Sequence, residues 1–174
     1  MNIHPFVVHF PVAFLSVYCL AELVRFRFIA SKAYWFYIKA TLAIIGGAGA
    51  VAAYLSGKLA GELVGKSPLI ELHSKFGKAS AILFGIIAAL YAIAWLTRLD
   101  IVNRIEGSMN LKNLPAYSWL KKLVNYFVDS FLMVPPALVG LACIVITGAL
   151  GGAIVFGPDV DPFVRIIYDL VVRF

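Results

Sequence analysis

Four long apolar stretches constrain this chain more than any other feature of its sequence. Each can cross the roughly 30 Å hydrocarbon core of a bilayer as a helix of about 20 residues. Hydrophobic residues make up 62% of the 174 and charged residues only 14%, and the mean hydropathy is +0.92. This composition excludes an ordinary soluble domain and indicates an integral membrane protein. The predicted spans are residues 5–26, 34–56, 68–97 and 132–157.

These spans predict an all-α fold, a single transmembrane domain built as a four-helix bundle. Residues 98–130 form the longest polar-enriched stretch, which predicts a cytoplasmic loop and an interfacial helix before the fourth span. Residues 161–174 begin with Asp161-Pro162, an N-cap followed by a first-turn proline. They predict a short amphipathic C-terminal helix that cannot span a membrane by itself.

The number of crossings assigns the two ends of the bundle. We name the side of the N-terminus face A and the opposite side face B. Four crossings return the chain to face A, so both termini and all three histidines are predicted to lie there. Face B carries nine lysines and arginines against six on face A. Because cytoplasmic loops carry an excess of these residues, we predict that face B is cytoplasmic. Face A is then on the extracytoplasmic side of the cell's inner (cytoplasmic) membrane.

The histidines are the strongest candidates for a site. Two of the three stand in the opening His4-Pro-Phe-Val-Val-His9, and His73 begins the third span. Histidine is costly in hydrocarbon unless it binds or pairs with something. At 1.5 Å rise per residue, His9 lies roughly 6 Å and His73 roughly 8 Å inside its helix, so their depths match. We predict these two as ligands, with His4, about 140° around the helix from His9, as an alternative ligand.

Glycines are concentrated near the same depth in the second and fourth spans. Gly46 and Gly49 belong to the second span, and Gly148 and Gly152 to the fourth. Because glycine removes side-chain bulk, these four positions are predicted to let a planar cofactor such as haem approach the backbone. The competing interpretation is close packing between helices through small residues four apart, and the sequence leaves both open.

The opening sequence resembles a known family. His4-Pro-Phe-Val-Val-His9-Phe-Pro is similar to the His-Pro-x-x-Val-His-Phe-Pro-Ile signature of the four-helix membrane proteins called the domain of unknown function 2231 family. His73 resembles the family's internal histidine, and the stretch from Thr147 to Gly157 resembles its glycine-rich close. The resemblance covers nearly the whole chain, although residues 157–159 lack a histidine that members commonly carry. It implies a respiratory role, because members are often encoded or fused with c-type cytochrome modules.

Three functions compete. The favoured one is a membrane b-type cytochrome, in which His9 and His73 bind the iron of one haem b from opposite sides. It would pass electrons between a membrane donor and an extracytoplasmic cytochrome or partner complex. The second is a copper or zinc site formed by His4, His9 and His73 with one open position. The third is a cofactor-free assembly or anchor subunit whose histidines hydrogen-bond helix ends.

The sequence also limits the partners and the chemistry. We expect contact with membrane lipid and with other subunits of a redox complex, among them c-type cytochromes. The formal net charge of +6 forms no basic stripe, so nucleic acid is not an expected partner. No motif supports a quinone site, and quinone stays open. Because the chain shows no nucleophile with a base, no paired acid carboxylates and no phosphate loop, we do not expect an enzyme acting alone.

Four further residues are expected to be structural. The cysteines Cys19 and Cys143 lie in apolar spans and are predicted to be small buried hydrophobic residues. Glu22 and Lys39, near face B, are predicted to be snorkelling or paired charges in preference to members of a proton relay.

Overall fold

The computed structural model describes residues 3–24, 26–65, 67–109 and 114–172 of the chain. Within these ranges the elements are α1 (His4–Val7), α2 (His9–Leu23), α3 (Arg27–Ala30), α4 (Ala33–Val64), α5 (Pro68–Leu96), α6 (Asp100–Ser108), α7 (Pro115–Asp129), a 3-10 turn (Phe131–Met133), α8 (Val134–Phe156) and α9 (Pro162–Val172). The described part of the chain contains no strand, so the all-α fold predicted from the apolar stretches is confirmed.

Four helical segments are long and apolar enough to cross a membrane. They are His4–Leu23, Ala33–Gly61, Pro68–Leu96 and Phe131–Phe156. The first joins α1 and α2 through Val8, whose backbone is itself helical, so the two form one continuous rod. In the bundle, α4 packs against α2 and α5, and α8 packs against α5 and α2. The predicted four-helix membrane bundle is therefore present.

The second span differs most from its predicted bounds. We predicted an end at residue 56, whereas α4 continues to Val64 and ends at Gly65, whose φ of +89° favours glycine. No proline interrupts the intervening residues, and Gly57 and Gly61 lie inside the helix without ending it. The next helix begins at Pro68, where the Ser67 side chain accepts a hydrogen bond from the Ile70 backbone N–H at 3.2 Å.

Large side chains from α2 and α5 fill the core. The fully buried ones include Leu15, Tyr18, Phe84, Ile87 and Tyr91. The Tyr18 ring meets Phe84 edge-on at 6.4 Å between ring centres and Tyr91 at 5.7 Å. Cys19 is also fully buried and donates its thiol hydrogen to the Ala137 carbonyl of α8 at 3.2 Å, as expected for a structural cysteine. The core thus binds the first, third and fourth spans together.

The close contact between helices at Gly47 predicts the effect of a substitution there. A Cβ added at Gly47 would lie 2.6 Å from the Cβ of Ala88 and 2.7 Å from the backbone oxygen of Phe84. Because a backbone atom cannot move aside cheaply, Gly47→Ala should lower the free energy of unfolding by about 1 to 3 kcal/mol. Thermal unfolding in detergent measures the loss. Gly148→Ala is the matched control, since no atom of the described residues lies within 4 Å of its added Cβ; equal losses in both variants would contradict this packing.

The segment predicted as a loop with one interfacial helix contains two helices at face B, α6 and α7. Val124 and Val128 on one side of α7 are buried against the bundle. The Lys121 ammonium contacts the buried Glu106 carboxylate at 2.9 Å and so joins α7 to α6. Glu106 also accepts a hydrogen bond from Tyr117, which raises the pKa of that phenol because its charged form loses the bond.

The predicted C-terminal helix is α9, which folds back on the fourth span. The Asp161 carboxylate accepts the Val164 backbone N–H at 2.9 Å and caps its first turn. Val164 is buried between Ala149 and Ala153 of α8. This contact places α9 at face A, at the same end of the bundle as the start of α5.

Candidate functional site

Two histidines from different spans meet at face A. His4 opens α1 and His73 lies in the second turn of α5. Their ring centres are 6.3 Å apart and their planes are nearly perpendicular, at 87°. Both residues are partly buried. We call His4 and His73 the imidazole pair.

The His73 ring is fixed by the fourth span. Its Nδ1 lies 2.9 Å from the Thr147 carbonyl oxygen of α8. A carbonyl oxygen can only accept, so in the neutral imidazole the proton is on Nδ1 and the lone pair is on Nε2. This hydrogen bond sets both the orientation and the tautomer of the ring.

The His4 ring is held in a similar way by the second span. Its Nδ1 lies 3.0 Å from the Ser56 hydroxyl oxygen. That hydroxyl donates its own hydrogen to the Ala53 carbonyl at 2.9 Å, so its oxygen is left to accept from Nδ1. Both members of the imidazole pair therefore carry the proton on Nδ1, and each is oriented by an oxygen from a neighbouring helix.

Two glycines give the imidazole rings their space. A Cβ added at Gly57 of α4 would lie 2.9 Å from Cε1 of His4, and one at Gly151 of α8 would lie 3.3 Å from Cε1 of His73. A larger residue at either position would displace the ring. Sequence reasoning missed these roles, although both glycines lie within one turn of the oxygen acceptor that holds the ring.

The four glycines predicted to contact a cofactor serve other purposes. Added Cβ atoms would meet Leu15 at 2.6 Å from Gly46, Pro11 at 3.3 Å from Gly49, and Val164 at 3.4 Å from Gly152. Each of these three glycines therefore lies against a neighbouring side chain. Gly148 faces open space, with no atom of the described residues within 4 Å of an added Cβ.

The structure corrects the ranking of the two N-terminal histidines. His9 is exposed, and its Nδ1 bonds only to its own helix, at 2.5 Å from the Pro5 carbonyl. Because α1 and α2 form one continuous rod, five residues turn His9 about 140° away from the side that His4 presents to His73. Depth alone suggested His9 as the partner of His73. The angular position around the helix axis instead places His4 beside His73.

The three-histidine arrangement is not assembled. Among the described residues, no group of three or more His, Cys, Asp or Glu side chains is placed to hold one metal ion. The imidazole pair alone offers two nitrogen donors from two spans. Such a pair can bind a metal ion whose other ligands do not come from the protein. It can also connect neighbouring helices without a metal ion.

Comparisons of this chain with protein-family models, with curated proteins and with solved structures found no match. The resemblance of the opening sequence to the domain of unknown function 2231 family therefore stays a prediction.

Proposed function

We propose that this protein is a membrane b-type cytochrome in which His4 and His73 are the two axial ligands of one haem. It would be an electron-transfer subunit of a larger redox complex, in the inner membrane with face A outside. The observation that carries the proposal is the imidazole pair, with ring centres 6.3 Å apart. Two imidazoles on opposite sides of one metal ion, each at a metal–nitrogen distance of about 2 Å, have ring centres about 6 Å apart.

The hydrogen bonds of the pair support metal binding. A histidine that binds a metal through one nitrogen almost always donates the other N–H to an oxygen, which fixes the ring and raises its basicity. His73 does this to the Thr147 carbonyl and His4 to the Ser56 hydroxyl. In both residues the oxygen that fixes the ring lies at Nδ1.

The number of donors favours haem over a bare ion. Zinc sites use three or four protein ligands, whereas haem carries its own equatorial nitrogens and takes only axial ligands from the protein. When bound, haem supplies a one-electron iron couple. Within the described residues, no atom lies within 4 Å of a Cβ added at Gly61 of α4 or at Gly148 of α8, the two helices whose oxygens orient the imidazoles.

The position of the pair indicates the kind of partner. His4 is the first residue of its span and His73 is the sixth residue of α5, so the site is shallow at face A. Electron transfer falls steeply with distance, so a shallow site serves a partner that docks at face A. A c-type cytochrome, as the family resemblance implies, is such a partner.

A cofactor-free assembly subunit is the second candidate, and the same hydrogen bonds favour it. The His4–Ser56 contact joins α1 to α4, and the His73–Thr147 contact joins α5 to α8. In this function the imidazoles hold neighbouring spans together, and their edge-on contact needs no metal.

The absorption spectrum of the purified protein distinguishes these candidates. We expect a Soret band and, after reduction, sharp α and β bands at one haem per chain. Metal analysis of the same sample should find iron in equal amount. Copper or zinc without haem bands would instead establish a bare metal site, and a colourless, metal-free protein after expression with excess haem would support the assembly subunit.

Gly57 provides a test that leaves both ligands in place. Gly57→Ala puts a methyl group where the His4 ring now lies, so we expect haem affinity to fall about tenfold, or about 1.4 kcal/mol. Haem titration of the apoprotein measures it. Gly61→Ala, one turn further along α4, has open space and should bind like the parent; equal affinity in the two variants would argue against His4 as a ligand.

A further inference from the structure

A second polar cluster lies inside the bundle near face B. Glu22 of α2 is 1% exposed, and one of its carboxylate oxygens lies 3.1 Å from the Lys39 ammonium of α4. The other oxygen accepts a hydrogen bond from the Tyr91 hydroxyl of α5. Lys39 is 7% exposed and its ammonium lies 5.8 Å from the centre of the Tyr91 ring. We call Glu22, Lys39 and Tyr91, with the neighbouring Tyr18, the carboxylate cluster.

Tyr18 brings a second buried phenol to the cluster. The residue is fully buried, and its hydroxyl oxygen makes no hydrogen bond within the described residues. It lies four residues before Glu22, on the same side of α2, and its ring contacts Tyr91. An enclosed hydroxyl beside a carboxylate is a place for a water molecule or a transferred proton.

Structural needs alone do not explain this arrangement. Removing both charges of a buried ion pair from water costs several kcal/mol per ion, and apolar residues of the same size often stabilise a protein more. Ionisable residues inside a membrane-spanning bundle commonly mark the paths of protons or ions. The carboxylate cluster has the parts of a proton site: a carboxylate, a cation that sets its affinity, and two phenols.

The cluster is closed toward face A and lies close to water at face B. Toward face A it is covered by Leu15 and Phe84, both fully buried. Toward face B the Tyr91 ring adjoins Phe36, at 5.9 Å between ring centres. The guanidinium of Arg98 lies 3.4 Å above Phe36, and its side chain is 26% exposed. Glu22 itself lies one residue before the end of α2, so the cluster is nearer to face B than to face A.

The ionisable groups around Glu22 come from three spans. Tyr18 and Cys19 share α2 with it, Lys39 lies on α4, and Tyr91 lies on α5. The fourth span contributes the Ala137 carbonyl, which accepts the Cys19 thiol hydrogen. Lys39 brings a positive charge to the cluster, 3.1 Å from one carboxylate oxygen of Glu22.

We propose that Glu22 is a proton-binding site inside the bundle. It takes up and returns protons at face B. Lys39 and Tyr91 set its affinity for the proton. The bound species is the proton itself: it adds to one oxygen of the Glu22 carboxylate to form the neutral acid. The site is separate from the imidazole pair, because the eighteen residues from His4 to Glu22 span about 27 Å of helix. It does not depend on haem binding.

Infrared spectroscopy of the full chain in lipid tests the proposal. As the pH is lowered, we expect the carbonyl band of a protonated carboxylic acid to appear, and we expect Glu22→Gln to lose it. Lys39→Met removes the neighbouring cation, so the midpoint of the band should move to higher pH by at least one unit, a tenfold or greater gain in proton affinity. Tyr91→Phe should shift the band frequency, since the acid loses its hydrogen bond.

Glu71 provides the matched control. It pairs with Lys75 at 2.7 Å on the exposed surface of α5, so Glu71→Gln should leave the Glu22 band unchanged. If Glu22→Gln fails to fold, Glu22→Asp keeps a carboxyl group and should displace the band. The proposal is overturned if no band depends on residue 22 at any pH where the protein stays folded, or if Lys39→Met leaves the midpoint in place.

Discussion

Alanine at His4 or at His73 should abolish haem binding, whereas His9→Ala should leave it intact. In the proposed site each member of the imidazole pair would supply one nitrogen to the iron, and His9 is not placed to replace either because it is exposed on another side of its helix. The haem-to-protein ratio of each purified variant, read from the reduced absorption spectrum, measures the outcome. We expect a ratio near one for the parent and for His9→Ala, and near zero for the other two.

Added imidazole separates a lost ligand from a lost fold. A small imidazole can occupy the space left by His73→Ala and restore a six-coordinate spectrum, which a misfolded protein cannot regain. Loss of haem in His9→Ala with retention in His4→Ala would contradict the assignment made from the ring contact. It would return His9 to the ligand role predicted from its depth.

Removing one charge of the carboxylate cluster should cost far more than removing both. Glu22→Leu leaves the Lys39 ammonium and the Tyr91 hydroxyl enclosed without the carboxylate, so we expect a loss of about 3 to 5 kcal/mol in the free energy of unfolding. The double variant Glu22→Met with Lys39→Met removes both charges and should stay near the stability of the parent. Denaturant unfolding in detergent, followed by circular dichroism, measures both.

The exposed pair on α5 again serves for comparison. Glu71→Ala breaks a contact between two side chains that are each 66% exposed, and exposed pairs contribute about 0 to 1 kcal/mol. If Glu22→Leu cost no more than Glu71→Ala, the buried contact would not be the interaction that joins α2, α4 and α5.

Much of the architecture could be predicted because it depends on local properties. A span follows from about 20 apolar residues, since a helix satisfies its own backbone in hydrocarbon. The starts of α5 and α9 follow from Ser67-Pro68 and Asp161-Pro162. The Ser67 and Asp161 side chains cap the first turns of these helices. The end of α4 was predicted too early, because the hydropathy of the sequence falls before the residue at which the helix ends. Gly65 ends the helix.

The histidine site shows what local patterns cannot supply. Sequence reasoning placed all three histidines at one end of the bundle, and the structure brings two of them together there. It chose His9 because the depth of a residue can be counted along a helix. The side of a helix that faces its neighbours cannot be derived in this way. The glycines were misassigned for the same reason: Gly46 and Gly49 face α2, while Gly57, two turns further along α4, faces the His4 ring.

The sequence by itself determined a membrane protein of four spans with its histidines at one end, because hydrocarbon burial and backbone hydrogen bonding are satisfied within each segment. Only the tertiary structure decided which side chains meet. His4 is held by a residue 52 positions away and His73 by one 74 positions away. Such contacts depend on how each helix is rotated and which helix lies beside it, and these follow from packing summed over all four spans.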